Sequence, residues 1–315
     1  GRNVTLKNLI IKNALNGAVS FIQPNAEYYL DNVTIQNSSS KYAFGGIELN
    51  ATNLVVNDSK FISNTGTDSS DIFFNEKCNV IVVNSTFEGG IESKWSHIYF
   101  SGGALIVDSS TFANSRSSYA NAIYGEDGRV TVRNTKFRNL TVLNSSGAIG
   151  VKYAVNLTVE DCEFTNITSG KDGGVIFADI DQGYVTIANS KFPGCFAAFG
   201  GAVMQLRAEL NIINSTFEDN IAMYDGGVLW TSYANVSIEN STFKRNNVVK
   251  EDLEIGGVLY FDKGDILIKG STFIDNHGSN KGGAVFTYDS KLTLQNNTFK
   301  DNGNALYSVF STQDI

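Results

Sequence analysis

Asn-Ser-Thr-Phe, then an Asn three residues after the Phe, then a Gly pair: this series recurs along the chain, as in NSTFEDNIAMYDGGV from 214 and NSTFKRNNVVKEDLEIGGV from 240. Aligned on this series, Phe stands at 61, 87, 112, 137, 164, 192, 217, 243, 273 and 299, with Ile11 and Ile35 in the equivalent place earlier. The spacing is mostly 25 to 28 residues, with outliers of 24 and 30. A fixed core unit carrying loops of variable length gives that drift. Periods of this size belong to solenoids, in which each unit buries its apolar face only against the units above and below.

Segments entering the Phe alternate apolar and polar residues, as in RVTVRNTKF, NLTVEDCEF and DILIKGSTF, with β-branched residues in every second place. That texture predicts strands. In LNIINSTF, Leu210 and Ile212 face one way, so strict alternation puts Asn214 with them and turns Phe217 outward. A Phe in every unit belongs in the core, so the chain must bend at Asn214 and Ser215. Asn suits the bend because it tolerates left-handed backbone angles. The corner is filled by Asn32, Asn84, Asn134, Asn189, Asn214, Asn240 and Asn296, with Asp161 as a near substitute. A second corner follows at Asn64, Asn220, Asn246, Asn276 and Asn302, and beyond it come Gly pairs at 45, 102, 173, 200, 226, 256 and 282. The Gly pairs are expected at a tight turn that starts a third strand. The unit then closes one triangular coil of an all-β, single-stranded parallel β-helix. About 12 coils of about 25 residues make a single domain over 1–315, a rod on the order of 55–60 Å long.

Two prolines against 30 glycines fit strands whose amides are nearly all engaged. A net charge of −8 without a Lys/Arg cluster argues against nucleic acid as a partner. Cys78, Cys162 and Cys195 are too few and scattered for a disulfide framework or a zinc site. No apolar run approaches a membrane span, and the opening at Gly1, already inside a repeat, suggests a segment of a longer repeat protein.

FEDN with GGVL, FKRN with GGVL and FIDN with GGAV resemble the repeats of the polymorphic outer-membrane proteins of chlamydiae. They are also similar to the related pectin-lyase-like β-helix segments of surface proteins in bacteria and protists. The likeness covers nearly all of the chain, weakly over the first two units and over 112–150. It implies a right-handed β-helix displayed outside the cell, and its members include adhesins, passenger domains and structural repeats. The C-terminal transporter barrel of the chlamydial proteins is not in this sequence.

Galacturonan hydrolases of this fold use clustered aspartates, a Gly-His-Gly turn and an Arg-x-Lys pair, and none of those strings occurs. His97 in KWSHIYF reads as a strand-end residue and His277 in FIDNHGSN as a turn residue, with no acidic cluster at a matching coil position. Asp179 with Asp181, and Asp68 with Asp71, read as solvated loop carboxylates, because calcium needs six to eight oxygens. Trp95, Trp230, Tyr99, Tyr124, Tyr260 and Tyr288 mostly follow the Gly turn and read as wall packing. The chain is therefore expected to be no enzyme, with no catalytic residue, cofactor or metal.

Asn-x-Ser/Thr occurs at 14 places, about twice the chance number. Asn32, Asn84, Asn214, Asn240 and Asn296 are set aside because they are expected at an inner corner. The remaining glycan candidates are Asn3, Asn156 and Asn235 at strand entries, and Asn37, Asn50, Asn57, Asn139, Asn144 and Asn166 in or beside loops. The expected role is an extracellular or cell-surface stalk, spacer or filament subunit, N-glycosylated in a eukaryote. It would join end to end or continue in a longer chain. One alternative is an adhesin for a surface glycan or cell receptor, with its patch on the insertions at 246–255 or 64–72. The other is a polysaccharide lyase or hydrolase.

Overall fold

The computed structural model describes residues 3–41, 44–75, 78–93, 97–120, 122–144, 147–153, 156–249, 256–278 and 282–314. Its regular structure is all strand, and each strand pairs in parallel with the segment one repeat later. Residues of one kind therefore meet across the rungs: Leu210 lies beside Val236, Val236 beside Ile266, and Ile266 beside Leu292. These side chains point inward and are buried, while Asn211, Ser237, Leu267 and Thr293 between them face outward.

The repeated Phe forms the spine of the interior. Ten rings from Phe61 to Phe299 stack with neighbouring centroids 4.6 to 5.1 Å apart and planes within 10° of parallel. Carbon atoms touch at about 3.5–4 Å, so that spacing requires rings displaced sideways, the arrangement that the ring quadrupole favours over a face-to-face sandwich. Phe61 to Phe273 are at most 1% exposed.

The bends are left-handed residues, each followed by a buried small or polar one. The first bend carries Asn8, Asn32, Asp58, Asn84, Ser109, Asn134, Asp161, Asn189, Asn214, Asn240, Gly270 and Asn296, all with φ between 47° and 60°. Eleven turns separate the first of these twelve from the last. The bend is where sequence parity expects it, but its asparagines point outward and are exposed. Positive φ at Asn214 swings its side chain out and brings Ser215 in. Among the described residues, Ser is the commonest occupant of that inner place. Ser190 N donates to Ser215 Oγ and Ser215 N to Ser241 Oγ, both at 3.1 Å, while Ser215 Oγ donates to Ile213 O at 2.9 Å. Each amide that the bend takes out of the strand ladder thus finds an acceptor one rung on.

At the second bend the inner residue is the expected Asn. Asn220 donates through N and Nδ2 to Asn246 Oδ1, both at 3.0 Å, and Asn246 and Asn276 repeat the pattern toward Asn302. Cys162 stands in the Ser ladder and Cys195 in the Asn ladder, where their amides donate to Ser190 Oγ and Asn220 Oδ1.

The third side departs from the sequence reading. A short extra strand, such as Phe196–Phe199 or Ile221–Asp225, precedes the Gly turn in several rungs. The third bend also lies after the Gly-turn strand, at Ala51, Asp127, Tyr153, Arg207, Tyr233, Lys263 and Asp289. Gly102 and Gly103 belong to that bend, with Gly103 paired to Gly128, and do not form the Gly turn assigned to them. Elsewhere the Gly assignment holds: a Cβ on Gly201 would collide with the carbonyl oxygen of Gly227 on the next rung.

Phe217→Ala removes one ring from an unbroken stack and should destabilise its rungs by roughly 3–5 kcal/mol. Limited proteolysis reads this directly, with new cleavage expected between 210 and 235.

Candidate functional site

One inward column shows where this chain departs from its own repeat. The residue before the Gly-turn strand is Ala18, Gly46, Ala122, Ala148, Val175, Ala202, Val228, Val258, Ala284 or Ala305 in ten rungs, because only a small group fits beside the second bend. In two consecutive rungs it is Asp71 and His97, 1% and 2% exposed. The sequence carries the signal in DIFF at 71 and HIYF at 97, one coil apart. The expectation that His97 has no acid at a matching position is therefore wrong, as is that of a solvated Asp71.

The pair is part of a buried relay. His97 Nδ1 meets Asp71 Oδ2, and His97 Nε2 lies 2.9 Å from Ser115 Oγ. Asp71 Oδ1 accepts a 2.8 Å hydrogen bond from Asn64 Nδ2. This is the connectivity of a Ser-His-Asp triad, but all three residues are buried, Ser115 at 6% exposure, and none lines the surface concavities at 78–79 with 103–104, 27–29 with 53–55, or 136–139 with 163–165. A nucleophile has to reach its substrate, so the geometry calls for a structural account. In the second-bend ladder Asn64 should be followed by another side chain, but Gly90 stands next and Ser115 after it. Asp71 and His97 span the gap that Gly90 leaves, linking Asn64 to Ser115 across the missing rung.

The other predicted residues are dispersed. His277 is exposed and bridges to Asn247 on the previous rung. Asp179 and Asp181 are both engaged by Arg207, the latter at 2.7 Å, one guanidinium between two carboxylates. Cys78, Cys162 and Cys195 are free and buried, and burial pushes the Cys162 and Cys195 thiols up to about 12. Trp230, Tyr260, Phe286 and Tyr307 form an outward column of parallel rings on the Gly-turn strands, with centroids 5.0 to 5.9 Å apart. Phe73, Tyr99 and Tyr124 form a second, tilted set. Trp95 and the 250–255 part of one insertion lie outside the described residues, and in the other insertion Ser69 and Ser70 are buried along with Asp71.

Among the glycan candidates, Asn3, Asn37, Asn50, Asn139, Asn144, Asn166 and Asn235 are exposed and Asn57 and Asn156 half-buried. Asn139 and Asn166 are left-handed residues of the second bend, joined in an exposed ladder with Asn114. Asn57 Nδ2 donates to Asp31 and Asp58.

Sequence reasoning missed Asp225. It ends the strand Ile221–Asp225 with Oδ1 buried and without a hydrogen-bond partner among the described residues, and loss of water raises its pKa from the ordinary 3.8 to about 6.

The coil geometry and the ladders define a parallel β-solenoid, and the sequence profile described as a right handed beta helix region matches residues 96–220 and 166–315. The chain belongs to that family. A 158-residue stretch is 28% identical to metabotropic glutamate receptor-like protein R of Dictyostelium discoideum, covering 48% of this chain and 10% of that protein. The match thus spans about a tenth of the relative's length.

Two outcomes follow from these buried groups. His97→Val leaves the Asp71 carboxylate in the interior with Asn64 alone and should cost about 3–5 kcal/mol. Adding Asp71→Val, a residue this column accepts at 175, 228 and 258, should restore at least half of the loss in a denaturant double-mutant cycle. Asp225 holds its proton in the fold up to about pH 6 but releases it near 3.8 when unfolded, so its contribution to stability falls as pH rises through that window. Thermal melts should show Asp225→Asn more stable than the wild type at pH 7, with the difference closing at pH 4.

Proposed function

We propose that this chain is a rigid, N-glycosylated extracellular segment of a cell-surface protein, serving as a stalk, spacer or filament subunit. What supports the reading is the in-register stack, in which strands, Ser, Asn and Phe are each matched by the next rung. Such an object resists bending and sets a distance. The likeness to a much longer receptor-like protein agrees with a spacer inside a larger surface molecule. The finer kinship, with pectin-lyase-like surface repeats similar to those of chlamydiae, belongs to the same proposal.

A second reading, an adhesin, is favoured by the outward column from Trp230 to Tyr307. Trp230, Tyr260 and Tyr307 are half-buried and Phe286 is buried between its neighbours, so a partner would meet the edges of the first three. A polysaccharide lyase or hydrolase is the least supported reading, because the paired Asp179 and Asp181 are held by Arg207.

The test is made on native material. An impermeant amine reagent should label the protein on intact cells, and N-glycosidase should lower its intact mass. No labelling until the cells are lysed, with an unchanged mass, contradicts the proposal.

A further inference from the structure

The first bend of the solenoid writes acceptor sequons on an exposed edge. Its left-handed place favours Asn, and two residues on, the half-exposed first place of the next strand favours β-branched Thr. Together they spell Asn-x-Thr at Asn32, Asn84, Asn214, Asn240 and Asn296, whose asparagines are all exposed. These are not equivalent. Asn32 Nδ2 donates to Asn8, Asn84 Nδ2 to Asp58, and Asn214 Nδ2 to Asn189, each one rung back. Among the described residues, the side chains of Asn240 and Asn296 make no hydrogen bond, and between their rungs stands Gly270, with no side chain at all.

From this placement we infer that Asn240 and Asn296 are N-glycan acceptor sites. The inference rests on the reading of the chain as a secreted glycoprotein. The two amides lie two rungs apart, about 9.6 Å at the strand-to-strand spacing, and because Gly270 carries no side chain the Asn240 amide leans over it, its Oδ1 lying where a Cβ at 270 would collide. The neighbour Ser241 turns inward and holds the fold, so a sugar on Asn240 displaces nothing from the interior. Glycans here would clothe the edge opposite the Gly-turn face and leave the column from Trp230 to Tyr307 bare.

The test is glycopeptide mapping of the 315-residue chain secreted from eukaryotic cells, with enzymatic release in heavy-oxygen water so that each occupied Asn becomes a labelled Asp. Label is expected at 240 and 296, with less at 214. Thr242→Val and Thr298→Val, which keep a β-branched strand residue, should each abolish the label at one site and leave the circular-dichroism spectrum unchanged. Sugar at Asn37 or Asn144 with none at 240 and 296 overturns the inference and leaves the glycoprotein reading standing. Absence of sugar everywhere overturns both, and label at Asn214 equal to that at Asn240 contradicts the part assigned to Gly270.

Discussion

Every rung of this protein is held by hydrogen bonds that run along the axis, from the amide of one turn to the carbonyl of the next. Because those bonds fix the register, each side chain must meet its own counterpart about 4.8 Å away. The side chains that tolerate such self-contact are few. Phe stacks sideways on Phe, each Ser hydroxyl accepts from the Ser amide one rung back, and the Asn amide carries both a donor and an acceptor. The repeat is a consequence of stacking like on like, and so are its exceptions. Where Gly90 drops out of the Asn ladder, Asp71 and His97 appear in the adjoining column to carry the polar chain across. A triad-like set of atoms thus arises from a structural vacancy, with all three side chains buried.

Much of this was legible in the sequence, for a physical reason. The Phe positions and the second-bend asparagines are inward places whose chemistry is narrow, so the same letter recurs. The outward or inward sense of the first bend was not legible, because alternation assumes extended backbone and one left-handed residue inverts it. Asn214 and Ser215 therefore exchanged places. The third bend was hidden for another reason. Its left-handed residue is half-buried or exposed and of no fixed type, as Ala51, Tyr153, Arg207 and Lys263 illustrate, and only the small residue after it, such as Ala208 or Ala234, is constrained. His97 and Asp71 were legible only by aligning the Gly-turn strands, whose Gly pairs are missing in those two rungs.

The same constraint shapes what the molecule can do. A stack of near-identical turns spreads side chains in rows along faces and edges. The rows present here are an outward aromatic column, exposed Asn edges and ion pairs between rungs, such as Arg245 with Glu218 and Asp219. Such rows suit stiffness, coating and lateral contact, and membership of the β-helix family is consistent with all three.

The register can be measured with paired cysteines at the exposed second bend. Asp219 and Arg245 are equivalent residues of consecutive rungs, and Asp219 and Asp275 are two rungs apart. At about 4.8 Å the first pair lies within the Cα span of a disulfide, and at about 9.6 Å the second lies beyond it. Mild oxidation should close Asp219→Cys with Arg245→Cys rapidly and leave Asp219→Cys with Asp275→Cys reduced. Equal closure of both pairs, or closure of the distant pair alone, would contradict the stacked-rung account.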